Sequence, residues 1–155
     1  MAAAHLSSAS QRDRRHANAG KQHNPAQTLM HVPNDARIPN PAGHYSPIIE
    51  HNGLLFVSGQ LPRDPNTLVV PATIEEQTTA ALDNLENLLL AAGSDRKHVL
   101  QVRIYVSDID LWEQINATYR TWFGDHKPAR AIVPCGALHF GCLLEIEATA
   151  AVIGK

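Results

Sequence analysis

Residues 126–150 read HKPARAIVPCG, then ALHFGCL, then LEIEATA, and this stretch decides the fold. It reads as two strands, the first opened by Arg130 after Pro128 and Ala129, the second carrying Glu145 and Glu147 among alternating apolar residues. Side chains alternate along a strand, so Leu144, Ile146, Ala148, Ala150 and Val152 share one face and Glu145, Glu147 and Thr149 the other. The two strands are expected to be neighbours, which offers an arginine and a carboxylate on paired backbones. A solvated outer face of an antiparallel sheet would also account for the two acids, with no function attached.

Upstream, residues 45–50 and 54–58 are apolar and β-branched and flank His51-Asn52-Gly53, the signal of a tight hairpin. Ser58-Gly59-Gln60 leaves the second strand. A glycine there permits close approach of backbone to another group, or simply lets the chain turn. Residues 62–71 form a long loop that could wall a pocket. Residues 73–92 predict a helix: Thr73 and Glu76 make a capping box, and Ile74, Thr78, Ala81, Leu82, Leu85, Leu89 and Ala92 form a core-facing stripe before Gly93. A strand over residues 99–106 follows, with Val102, Ile104 and Val106 on one face. A second helix is predicted from Ser107-Asp108 to about Phe123, with Trp112, Ile115, Tyr119 and Trp122 on its apolar face, Asn116 at its edge and Gly124 closing it. The order β-β-α-β-α-β-β predicts an α+β sandwich with both helices on one face of a mixed sheet.

A chain of 155 residues suits one domain of ordinary size. Residues 1–40, rich in Ala, Ser, Gln, Asn, His and Pro, read as a disordered tail, and residues 41–155 as the folded domain. The tail's Arg and Ser content also suggests an organellar transit peptide, and Met30 offers an alternative start. The tail holds +3 of charge, which leaves −5 for the body out of a net −2. An acidic body argues against a nucleic-acid surface. Cys135 and Cys142 lack metal-ligand spacing, and the histidines show no metal pattern, so free thiols in a reducing, cytoplasmic setting are expected. No apolar run approaches the length of a membrane span.

The segments Gly43-His44-Tyr45, Ser58-Gly59-Gln60, Leu82-Asp83-Asn84-Leu85, Asn116-Ala117-Thr118-Tyr119, Pro128-Ala129-Arg130 and Leu144-Glu145-Ile146-Glu147-Ala148 occur in an order that resembles the Rid (YjgF) family of enamine and imine deaminases. The resemblance covers roughly residues 40–153. It implies a chorismate-mutase-like fold and a homotrimer whose three sheets surround a central barrel, with sites at subunit interfaces. It also implies hydrolysis of 2-imino acids, such as 2-iminopropanoate and 2-iminobutanoate, to 2-oxo acids and ammonia, with neither metal nor cofactor.

The residues can be set against that chemistry. A planar guanidinium matches a substrate carboxylate with two parallel charge-assisted hydrogen bonds, and Arg130 is the candidate. A carboxylate that orients water and shuttles a proton is also needed, and Glu145 is the candidate. From the residues alone, Glu145 and Glu147 could be exchanged. The resemblance implies Tyr45 as hydroxyl donor, Gly59 as backbone contact and Asn116 as amide partner. Ile132 stands where many family members have Cys, which makes that wall larger and more apolar. Cys135 as a nucleophile would need a base such as His139, and packing of a small residue in a hairpin is the simpler account. Two other classes stay open: a pathway-specific deaminase of a larger enamine such as 2-aminomuconate, and a non-catalytic binding or regulatory protein.

Overall fold

The computed structural model describes residues 30–154 of the chain. Of the tail expected over residues 1–40, residues 1–29, and the transit-peptide reading with them, lie outside the described residues, while in the remainder His31 bridges to Glu50 and Ile38 packs against the core. Strands β1 (Ile48–His51) and β2 (Leu54–Gln60) pair antiparallel, with His51 opposite Leu54. The two loop residues, Asn52 and Gly53, have φ of 53° and 78°. Positive φ at both positions gives the turn that matches the twist of flanking strands, which is why Asn-Gly serves here. Upstream, the His31 and Glu50 backbones exchange hydrogen bonds of 3.0 and 2.8 Å, so the chain is laid against the outer edge of β1 at residue 31.

Helix α1 (Ile74–Ala91) begins at the capping box: the Glu76 amide donates to Thr73 Oγ1 at 3.2 Å, and the Thr73 amide donates to Glu76 Oε2 at 3.1 Å. Ala81, Leu82, Leu85 and Leu89 are fully buried. Each leucine so buried contributes about 1.5–3 kcal/mol relative to an exposed one. Helix α2 (Trp112–Phe123) is preceded by a 3-10 turn over Ile109–Leu111, whose Asp110 amide donates to Asp108 Oδ1. Its buried face is Ile115, Tyr119 and Phe123. Trp122 sits at the rim, because its indole N–H needs a partner and finds Asp83 Oδ1 at 2.8 Å, with the Arg96 guanidinium over its ring.

Strands β3 (Val99–Val106), β4 (Ala129–Pro134) and β5 (Leu144–Ala151) complete a five-stranded mixed sheet in the order β1-β2-β5-β3-β4. The apolar faces of β2, β3 and β5 meet both helices in one core. The fold is the α+β sandwich, with both helices on one face.

The expected pairing of the last two strands is not found. Strand β3 lies between β4 and β5, and β4 pairs with it in parallel. The cause is connectivity: β4 follows β3 through α2, and a helical crossover returns the chain in the same direction. Residues 135–143 then carry the chain past β3 through a turn at His139–Gly141, where Phe140 has φ of 60°, so no hairpin forms there and Cys135 is not packed in one. β5 can be interior because Leu144, Ile146, Ala148 and Ala150 are all at most 6% exposed.

Candidate functional site

Arg130 opposes Val102 on β3, a fully buried core residue, so its side chain rises on the helix face of the sheet. Helix α2 meets it there. Arg130 Nη2 donates to Asn116 Oδ1 at 3.0 Å, and the guanidinium carbon lies 4.5 Å from the centre of the Tyr119 ring. Asn116 and Tyr119 are one helical turn apart and therefore face the same way. Among the described residues no carboxylate pairs with Arg130, whereas Arg37, Arg96 and Arg103 each hold one. The guanidinium is fixed in place and its charge is left open.

Asn116, Tyr119, Arg120, His126, Lys127 and Arg130 belong to the wall of a cleft of about 330 Å³. His126 is pinned by Nε2 at 2.7 Å from the Val99 carbonyl, which fixes the proton on that nitrogen, and its ring lies tilted beside Phe123, centroids 5.9 Å apart. Tyr119 is 7% exposed, and its hydroxyl is the one buried side-chain oxygen or nitrogen among the described residues with no hydrogen-bond partner. Burial pushes its pKa up to about 12, partly opposed by Arg130, so it is protonated at neutral pH.

Glu145 opposes Tyr105 on β3 and Glu147 opposes Arg103, both on the other face of the sheet. There Gly59, Tyr105, Cys135, Leu138, Glu145 and Glu147 line a second cleft of about 340 Å³. The β2–β5 register shifts between Val57 and Gln60, and Gly59 lies in that irregularity. A β-carbon at Gly59 would stand 2.8 Å from Glu145 Cδ and 3.1 Å from Cγ, and would overlap Oε1 outright. The glycine is there because the carboxylate lies against its backbone. Glu147 is engaged by Arg103 Nη1 at 2.9 Å, while Glu145 makes no hydrogen bond or ion pair among the described residues. Burial, then the Glu147 charge, raises the Tyr105 pKa; burial, then Glu145, raises that of the Cys142 thiol.

Arg130 and Glu145 are thus on opposite faces of one sheet. Their positions on β3 are three residues apart, about 10 Å along the strand. Tyr45 is 55% exposed and lines neither cleft; its ring rests on Gly43. Ile132 packs its side chain against the core and lines neither cleft. The Cys135 amide donates to the Val106 carbonyl at 2.8 Å and its thiol to the Gly136 carbonyl at 3.3 Å, and among the described residues no hydrogen bond joins it to His139. The loop at residues 62–71 folds on its own Asp64, which accepts from the Asn66 and Thr67 amides, and adds no residue to either cleft.

The apolar stripe of α2 reads Tyr119 as core, which its burial bears out, and assigns no role to Arg120, His126 or Lys127. The spacing of Tyr119 from Asn116 was the available signal. Among the described residues no three His, Cys, Asp or Glu side chains gather as metal ligands, and no helix is long and apolar enough to cross a membrane.

Residues 35–152 match the family described as Endoribonuclease L-PSP. A RutC family protein of Pyrococcus horikoshii is 39% identical over 113 residues, which are 72% of this chain and 90% of that protein. The 2-iminobutanoate/2-iminopropanoate deaminase of Rattus norvegicus is 35% identical over 123 residues, 79% of this chain and 90% of its own. Among solved structures, a Rid-family protein of Yersinia pestis superposes with a TM-score of 0.75 at 35% identity, covering 80% of this chain and all of that one. The chain is therefore a member of the Endoribonuclease L-PSP family, which includes the YjgF and Rid proteins.

Proposed function

We propose that this protein hydrolyses reactive enamines and imines of 2-oxo acids, of the 2-iminopropanoate and 2-iminobutanoate type, to the 2-oxo acid and ammonia. The observation that carries the reading is Arg130: a cation held by Asn116 and stacked on Tyr119, with no carboxylate partner among the described residues. A substrate carboxylate supplies the missing partner in a bidentate pair. The rat relative named as such a deaminase supports the same chemistry.

Water adds to the C=N carbon as Glu145 takes one of its protons and passes it to nitrogen, giving a carbinolamine; Glu145 then takes the hydroxyl proton and delivers it to the same nitrogen as the C–N bond breaks, so that ammonia leaves and the carbonyl forms. Glu145 suits the role better than Glu147, which Arg103 already occupies. An imine carbon is electrophilic without a cofactor. Gly59 supplies a backbone contact and Asn116 the amide that orients Arg130. Tyr45, through its hydroxyl, completes the wall from the interface, and Ile132 contributes its backbone, its side chain being packed against the core.

Since one chain holds Arg130 and Glu145 on opposite faces, the working site is assembled between copies, in a cytoplasmic homotrimer whose sheets enclose a central barrel and leave the helices outside. Residues 41–155 form the body of the domain that assembles, with His31 and Ile38 laid against it.

The test is release of ammonia and 2-oxo acid from 2-iminopropanoate and 2-iminobutanoate generated in situ, with oligomeric state followed by sedimentation. Arg130→Ala should raise KM by about 10–100-fold, the loss of a charge-assisted pair worth about 1.5–3 kcal/mol. Glu145→Ala should lower kcat by at least about 100-fold. Undiminished turnover by either correctly assembled variant rules the mechanism out.

A further inference from the structure

The Arg130 cleft holds more positive charge than a single carboxylate uses. Arg120 and Lys127 line it beside Arg130, and its wall contains no Asp or Glu. Neither Arg120 nor Lys127 has an acidic partner among the described residues, although other arginines of the chain do. This surplus sits on a body whose overall charge is negative. A local concentration of one sign against the prevailing sign focuses ions of the opposite sign into the cleft. Tyr119, which lines the same cleft, is a second, independent observation: its hydroxyl is buried and lacks a partner. Buried hydroxyls are nearly always satisfied, so an unsatisfied donor at the wall of a cationic cleft points to a ligand oxygen.

We infer that the cleft selects small dianions, 2-oxo diacids and their imines, with one carboxylate on Arg130 and the second between Arg120 and Lys127. This rests on the deaminase reading for the reaction, and deepens it by naming the substrate class. A monoanionic imino acid satisfies Arg130 alone and leaves Arg120 and Lys127 without an anion. A diacid neutralises both ends. Arg120 and Lys127 are exposed, so they act as specificity residues at the mouth, while Tyr119 backs the Arg130 guanidinium with its ring.

The experiment has a binding arm and a turnover arm. Calorimetric titration of the full chain with 2-oxoglutarate and with 2-oxobutanoate should show at least about ten-fold tighter binding of the diacid, one carboxylate–cation pair being worth about a factor of ten. The preference should shrink with added salt and fall to within about two-fold of unity in the Arg120→Ala/Lys127→Ala protein. Hydrolysis of 2-iminoglutarate and 2-iminobutanoate, formed in situ by amino-acid oxidases, should show the same ratio in KM. Equal binding of the two acids by wild type, or a preference that survives the double substitution, overturns the inference. Selective binding without hydrolysis of either imine upholds the dianion cleft and defeats the deaminase reading. Hydrolysis of both imines with no selectivity does the reverse.

Discussion

Gly59→Ala separates the position of Glu145 from the stability of the fold. The backbone at Gly59 does not lie in the left-handed region, so alanine fits its conformation, and loss of unfolded-state freedom stabilises by about 0.4–1 kcal/mol. The new methyl cannot coexist with the Glu145 carboxylate, whose Cδ it would approach to 2.8 Å. The obstacle is the end of a flexible side chain, so Glu145 swings away at a cost of about 0.5–1.5 kcal/mol. These terms nearly cancel, and the melting temperature should move by less than about 4 °C. The carboxylate itself must shift by more than about 1 Å, enough to lower kcat roughly 100-fold. The assay is imine hydrolysis beside thermal denaturation, for Gly59→Ala, Glu145→Ala and the double variant. If displacement of Glu145 is the whole effect, the double variant is no slower than Glu145→Ala alone. Full turnover by folded Gly59→Ala, or a further large loss in the double variant, refutes the reasoning.

Tyr119→Phe should stabilise the ligand-free protein by about 1 kcal/mol at neutral pH, because it removes a buried hydroxyl with no partner. It should also flatten the alkaline limb. The Tyr119 pKa is raised from 10.0 to about 12, so between those values the folded state holds a proton that the unfolded state has lost, and stability falls as pH rises. By pH 11 the wild type should have lost about 1.4 kcal/mol that the Phe variant retains, as read by denaturant titrations at pH 9 and 11. Thr73→Ala removes one half of the capping box and should cost about 1 kcal/mol in the same titration, with catalysis unchanged.

The features legible in the sequence are those written by local rules. Asn52-Gly53 specified its turn, Thr73 and Glu76 the start of α1, and the alternation from Leu144 to Ala150 the buried face of β5. Strand order was not legible, because which strand slips between β4 and β5 depends on contacts far apart in the chain. Nothing in residues 126–150 announces that Val99–Val106 will occupy the gap. The same gap carried Arg130 and Glu145 to opposite faces, since the face of Arg130 follows from its register with Val102, outside the motif itself. The cationic cleft was hidden for a related reason: Arg120 and Lys127 converge only through the turn after Phe123. The choice of Phe123 over Trp122 for the core turned on a polar atom, which a hydrophobic stripe does not weigh.

The backbone pairing of His31 with Glu50 bears on solubility. β1 is an outermost strand, and an uncovered row of amides and carbonyls invites a strand from another molecule. The two hydrogen bonds that His31 and Glu50 exchange, with the His31 imidazole 3.3 Å from the Glu50 carboxylate, occupy part of that row. A polypeptide begun at Met30 keeps this guard, while one trimmed to residue 41 presents a bare edge to its neighbours and so gains a route to edge-to-edge aggregation.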